Sequence, residues 1–94
     1  MCGISGIVSL NNDLIVSPKN KIKSMMKLLS HRGPDFSDYW INNNSSIVFG
    51  HNRLSIIDLS NNANQPMIGQ DNNVITFNGE IYNYKKIRNE LELT

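Results

Sequence analysis

The sequence predicts a small α+β domain in which short antiparallel strands are mixed with two helices. Three observations carry that prediction. Runs rich in β-branched residues are separated by connections of hairpin length. One segment repeats apolar residues at helical spacing instead. Asparagine clusters (Asn11-Asn12, Asn42-Asn43-Asn44, Asn61-Asn62 and Asn72-Asn73) sit between the apolar runs, and Asn tolerates left-handed backbone and bonds its own main chain in turns.

Taken in order, Ile4 to Leu10 reads as a first strand, β-branched and flecked with glycine. Gly3 and Gly6 weaken such a strand unless backbone or ligand must approach closely. Ser17-Pro18 marks a helix start, Ser as N-cap and Pro at the first helical position. Ile22, Met25, Met26 and Leu29 then follow the i, i+3, i+4, i+7 spacing of a buried stripe. His31-Arg32-Gly33-Pro34-Asp35 is a loop by its Gly-Pro pair. Strands are expected at Ser37–Ile41 and Ser46–His51, and a third, Val74–Phe77, runs into Asn78-Gly79. A last helix starts near Asn83, with Tyr84, Ile87 and Leu91 on one face.

Composition narrows the function. The chain has 94 residues, room for one small domain, and a domain of that size buries only about 60–65% of its unfolded surface. It is 39% apolar and 18% charged, ordinary for a globular protein. Nine basic and eight acidic residues give a net charge of +1, so no strong field draws it to nucleic acid or to an acidic membrane. A single cysteine excludes an internal disulfide framework and a cysteine-built zinc site. No apolar run approaches the ~20 residues of a membrane span, and the first residues lack the basic region of a signal peptide. A reduced, cytoplasmic protein is expected. The end, Leu91-Glu92-Leu93-Thr94, falls inside a helical pattern without a stop signal, which predicts a truncated sequence.

Cys2 is the first candidate for chemistry. A lone cysteine commonly serves as a small buried hydrophobe. At position 2, however, removal of Met1 places a thiol and a free α-amine on one residue. An α-amine titrates within about one unit of a free thiol, so it is matched to accept the thiol proton. Nucleophile and base then share a residue and need no separate histidine. Asn78 can offer a side-chain N–H, and Gly79 a backbone N–H approached without Cβ interference, to an oxyanion. Asn-Gly is equally the commonest two-residue hairpin dipeptide. Arg53 offers a fork suited to a carboxylate, or pairs with Asp58, or is simply solvated. His31 and His51 have no partner at metal-ligand spacing and read as structural, and Arg32 and Asp35 are expected to pair locally across the Gly33-Pro34 turn.

The ordered set is more specific than its parts. Met1-Cys2-Gly3-Ile4-x-Gly6, His31-Arg32-Gly33-Pro34-Asp35, Arg53-Leu54-Ser55-Ile56-Ile57-Asp58, Gln65-Pro66 and Asn78-Gly79-Glu80-Ile81-Tyr82-Asn83 occur in sequence along the whole chain. This closely resembles the N-terminal glutaminase domain of glutamine-hydrolysing asparagine synthetases, which are class II glutamine amidotransferases and N-terminal-nucleophile hydrolases. The resemblance implies that Cys2 is the nucleophile and that Asn78 and Gly79 form the oxyanion hole. It implies that Arg53 binds the α-carboxylate of glutamine, that Leu54, Ser55, Ile56 and Ile57 wall the pocket, and that Glu80 meets the substrate amine.

The implied fold is an αββα sandwich, antiparallel sheets flanked by helices, with Cys2 opening a central strand. The resemblance further implies that residues 1–94 are the N-terminal half of a glutaminase domain and that the synthetase domain is absent. No cofactor or metal is expected in this stretch. ATP and Mg²⁺ would serve the synthetase domain, the partner that receives ammonia, and a homodimer is left open. Two other readings stand beside this one: a sister amidotransferase with a different ammonia acceptor, and a catalytically silent remnant.

Overall fold

The hydrogen-bonded elements of the computed structural model, which describes residues 2–55 and 63–93, run β1 (Gly3–Val8), α1 (Pro18–Leu28), β2 (Phe36–Ile41), β3 (Ile47–Arg53), β4 (Met67–Ile68), β5 (Val74–Ile75) and α2 (Tyr84–Glu92). β1, β3 and β2 form one antiparallel sheet in that order, and β4 pairs with β5 in a second, two-stranded one. The α+β reading therefore holds for the described residues. The expectation that Cys2 opens a central strand does not: β3 pairs with both neighbours, Gly3 opposite Asn52 and Phe36 opposite Arg53, so β1 lies at one side of its sheet.

Side chains alternate between the faces of a strand, and β3 shows what each face does. Val48 and Asn52 face α1, where Val48 is fully buried with Ile22 and Asn52 Nδ2 donates to Met26 O at 3.0 Å. Ile15, Ile22, Met26 and Val48 make the core, with Ile7, Met25, Tyr39 and Ile41 packed against it. Each such aliphatic side chain contributes about 1.5–3 kcal/mol when fully buried. Phe49, His51 and Arg53 occupy the opposite face, where the Phe49 ring stacks at a tilt on Trp40, with centroids 5.8 Å apart.

The expected helical stripe is present, with Ile22 and Met26 buried and Met25 and Leu29 half-buried. Ser17 precedes the helix as expected but in the left-handed region, φ 52°, and its hydroxyl makes no cap bond. β1 stops at Val8 rather than Leu10: after a last bond from Ser9 N to Ser46 O at 2.8 Å the chain turns, Asn12 N donating to Ser9 O at 3.3 Å with Asn12 at φ 58°. Three of the four asparagine clusters lie at turns, and Asn61-Asn62 lies outside the described residues. Asn42 Oδ1 accepts from the amides of Ser46 and Ile47 at 2.8 and 2.9 Å, closing the β2–β3 hairpin. Asn72, at φ 63°, turns β4 into β5.

Two further expectations change. The strand expected over Val74–Phe77 keeps only Val74–Ile75 in its ladder, since the next two residues bond to side chains and to β3 instead. α2 starts where expected, and Tyr84, Ile87 and Leu91 line one groove, but every residue of the helix is exposed. No described helix is long and apolar enough to cross a membrane.

Candidate active site

Cys2 stands just before β1, and the register that places Gly3 opposite Asn52 brings it to the far end of β3. There the Leu54 amide donates to Cys2 Sγ at 3.3 Å, while the thiol lies 3.7 Å from Leu54 O. Backbone thus holds the sulfur from both sides. The main chain of Cys2 is held as well, since Arg32 Nε donates to Cys2 O at 3.2 Å.

The loop carrying Arg32 lies directly on β3. A Cβ at Gly33 would collide with the Asn52 carbonyl, so the close approach requires glycine. Asp35 closes it, its amide donating to Arg53 O at 3.0 Å and its Oδ2 accepting from Ser55 N at 2.7 Å. The expected Arg32–Asp35 pair is consequently not made. Each group has instead a fixed backbone partner, against which an exposed ion pair worth about 0–1 kcal/mol does not compete.

Cys2, Gly3, Ile4, Leu29, Arg32 and Asn78 line a cleft of about 240 Å³. That is below the roughly 300–1,000 Å³ of sites for drug-sized ligands and suits a smaller molecule such as an amino acid. The structure therefore brings Cys2 and Asn78 together from opposite ends of the chain. Arg53 does not line this cleft. Its side chain is 5% exposed and donates from Nη1 to Asn64 Oδ1 at 2.5 Å. Leu54 contributes backbone to the thiol and Ser55 to Asp35, whereas Ile56 and Ile57 lie outside the described residues. Gly79 and Glu80 are exposed beside Asn78, and a Cβ on Gly79 would press on the Phe77 ring at 2.9 Å.

The segment bearing Asn78 has no ladder of its own and is tied down by side chains. Gln65 Oε1 accepts from Phe77 N at 2.6 Å, Thr76 Oγ1 donates to Gly50 O at 3.4 Å, and His51 Nε2 lies 3.1 Å from Phe77 O. His51 is 1% exposed. Burial pushes its pKa below the ordinary 6.5, the hydrogen bond to Phe77 O acts the other way, and the Arg53 guanidinium adds to the lowering. Arg32 and Gln65 are the residues whose part at this site the sequence reading missed. Both lay inside quoted motifs, but nothing in spacing tells a lining residue from a turn residue. Among the described residues no group of three or more His, Cys, Asp or Glu side chains could hold a metal ion.

Residues 1–94 match the glutamine amidotransferase domain family along their whole length. The chain belongs to this family. It is 39% identical over 110 residues to a putative glutamine-hydrolysing asparagine synthetase of Methanocaldococcus jannaschii, covering 99% of this chain and 21% of that protein. It is 37% identical over 91 residues to the glutamine-hydrolysing asparagine synthetase B of Escherichia coli, covering 96% and 16%. A Gibberella zeae protein named amidase chry2 is 35% identical over 101 residues, covering 97% and 15%. The chain spans about a fifth or less of the length of these curated relatives. No solved structure matches it.

Proposed function

We propose that this amidotransferase chain hydrolyses the side-chain amide of glutamine through Cys2, supplying ammonia for asparagine synthesis. The observation that carries the reading is the meeting of Cys2 and Asn78 in one small cleft, in a chain whose full length matches the family. After Met1 is removed, the α-amine of Cys2 takes the thiol proton and the sulfur attacks the amide carbon. Asn78 and Gly79 donate to the oxyanion, and loss of one such donor lowers the rate by about 10²–10³. The C–N bond then breaks, ammonia leaves with the proton returned by the α-amine, and water hydrolyses the thioester to glutamate and free thiol. Arg53 exchanges its Asn64 partner for the substrate carboxylate, Leu54 to Ile57 wall the pocket, and Glu80 meets the substrate amine.

On this reading residues 1–94 contribute to an αββα sandwich, and a synthetase domain in the whole protein uses the ammonia with ATP and Mg²⁺ to convert aspartate. A different ammonia acceptor is the second reading, since one of the relatives carries a name other than asparagine synthetase. Ammonia release from glutamine tests the hydrolysis directly. Turnover by the parent protein that disappears in Cys2→Ala supports the assignment. A parent protein that releases no ammonia overturns it and favours a silent role.

A further inference from the structure

His51 is the one nearly solvent-free imidazole among the described residues, and the nucleophilic chemistry proposed above does not use it. Its partner decides its protonation. Phe77 O can only accept, so Nε2, 3.1 Å away, must carry the hydrogen. Nδ1 is buried without a hydrogen-bond partner among the described residues. A second proton there would leave a buried N–H unsatisfied two residues along the strand from the Arg53 guanidinium, so the neutral Nε2–H form is the favoured one. Asp38 on β2 and Ile4 on β1 are the residues opposite His51 in the ladder, and Asp38 Oδ1 already accepts from Tyr39 N at 2.8 Å.

The bond lands at an informative place. β5 ends at Ile75, and Asn78, Gly79 and Glu80 are all exposed. Phe77 is thus the last anchored residue before the Asn-Gly pair. Of its anchors, Gln65 comes from the connecting segment, while His51 comes from β3, the strand whose end also bears Arg53 and the Leu54 backbone that holds Cys2 Sγ. One strand can therefore set the distance between nucleophile and oxyanion donors.

We propose that His51 is a positioning residue, its Nε2–H holding Phe77 O so that Asn78 and Gly79 stand in fixed relation to Cys2. The catalytic consequence rests on the glutaminase reading, whereas the positioning itself does not.

Two variants test it in the full chain. His51→Leu removes the donor and keeps apolar bulk, and His51→Gln keeps an N–H of similar reach. Backbone ¹⁵N order parameters at Asn78 and Gly79 report positioning without catalysis. In His51→Leu they fall below about 0.6, the flexible range, while Val48 stays near the ~0.85 of rigid backbone. Ammonia release shows kcat down about tenfold or more, part of the effect of losing a whole donor, with KM for glutamine within about threefold. His51→Gln restores both readouts. Unchanged order at Asn78 and Gly79 in His51→Leu overturns the proposal. So does equal impairment of both variants with order lost at Val48, which marks a merely structural role. If the parent protein releases no ammonia, the glutaminase reading fails, and the order parameters still decide whether His51 positions the segment.

Discussion

From Gly3 to Arg53 the chain is held by apolar packing and a strand ladder: Ile22 and Val48 are fully buried between α1 and the sheet, and β3 is paired on both sides. From residue 63 to residue 93 the anchors are polar and few, the two-stranded sheet has two residues per strand, and all of α2 is exposed. Cys2, the proposed nucleophile, belongs to the first region, and Asn78 and Gly79, the proposed oxyanion donors, to the second. Cys2 is set by rigid backbone, whereas Asn78 depends on side chains reaching across from β3 and from Gln65. Substitutions in the apolar core of the first region should therefore act on stability, and those at Cys2 or in the second region on rate.

Four outcomes sharpen or break that contrast. Cys2→Ser should remove glutamine hydrolysis by roughly 10³-fold or more, as expected for loss of a nucleophile, while circular dichroism and the midpoint of urea unfolding stay unchanged. Asn78→Ala should lower kcat by about 10²–10³ with little change in stability, because Asn78 is exposed. A loss of cooperative unfolding in Asn78→Ala would show that the second region is not independent of the first. Ile22→Ala should destabilise by about 2–5 kcal/mol in urea denaturation. Its counterpart Ile87→Ala, on the exposed face of α2, should stay within about 0.5 kcal/mol, and comparable values for the two would erase the contrast.

The smallest effect is on pH dependence. The folded pKa of His51 lies below 6.5, first because of burial and then because of Arg53. As pH falls below about 6.5 the unfolded chain takes the proton before the folded one does. Stability from this group is thus complete above that pH and declines as pH drops through the lowered folded value. His51→Gln should flatten that part of the stability profile, measured by urea unfolding from neutral pH into the acid range.

Much of the first region was legible in the sequence, because its signals are local. The Ile22–Met26 stripe follows helical spacing, and the asparagines stand where the backbone turns left-handed at Asn12 and Asn72. Ile15 escaped, since one apolar residue in a polar segment carries no period, yet it reaches the core. The second region was less legible for the same physical reason. Val74–Phe77 alternates like a strand, but the Thr76 hydroxyl donates to the Gly50 backbone and the Phe77 amide to the Gln65 side chain, both more than ten residues away, a non-local competition that a window of sequence does not show. Met67–Ile68 is too short to register as a strand. At the site, the sequence points to Cys2 and Asn78, which share one cleft, and to Arg53, which lies outside that cleft and donates to Asn64. His51 was read as structural from its lack of metal-spaced partners. Its burial agrees, and only its bond to Phe77 O reveals what it holds.

The most direct test of Cys2 as the reacting residue is covalent. The protein is treated with a glutamine-like diazo-ketone, digested, and analysed by peptide mass spectrometry. A single adduct on Cys2, in a peptide that begins at Cys2 with Met1 removed, is the result predicted here. An adduct on any other residue, or an unlabelled Cys2, would contradict the account.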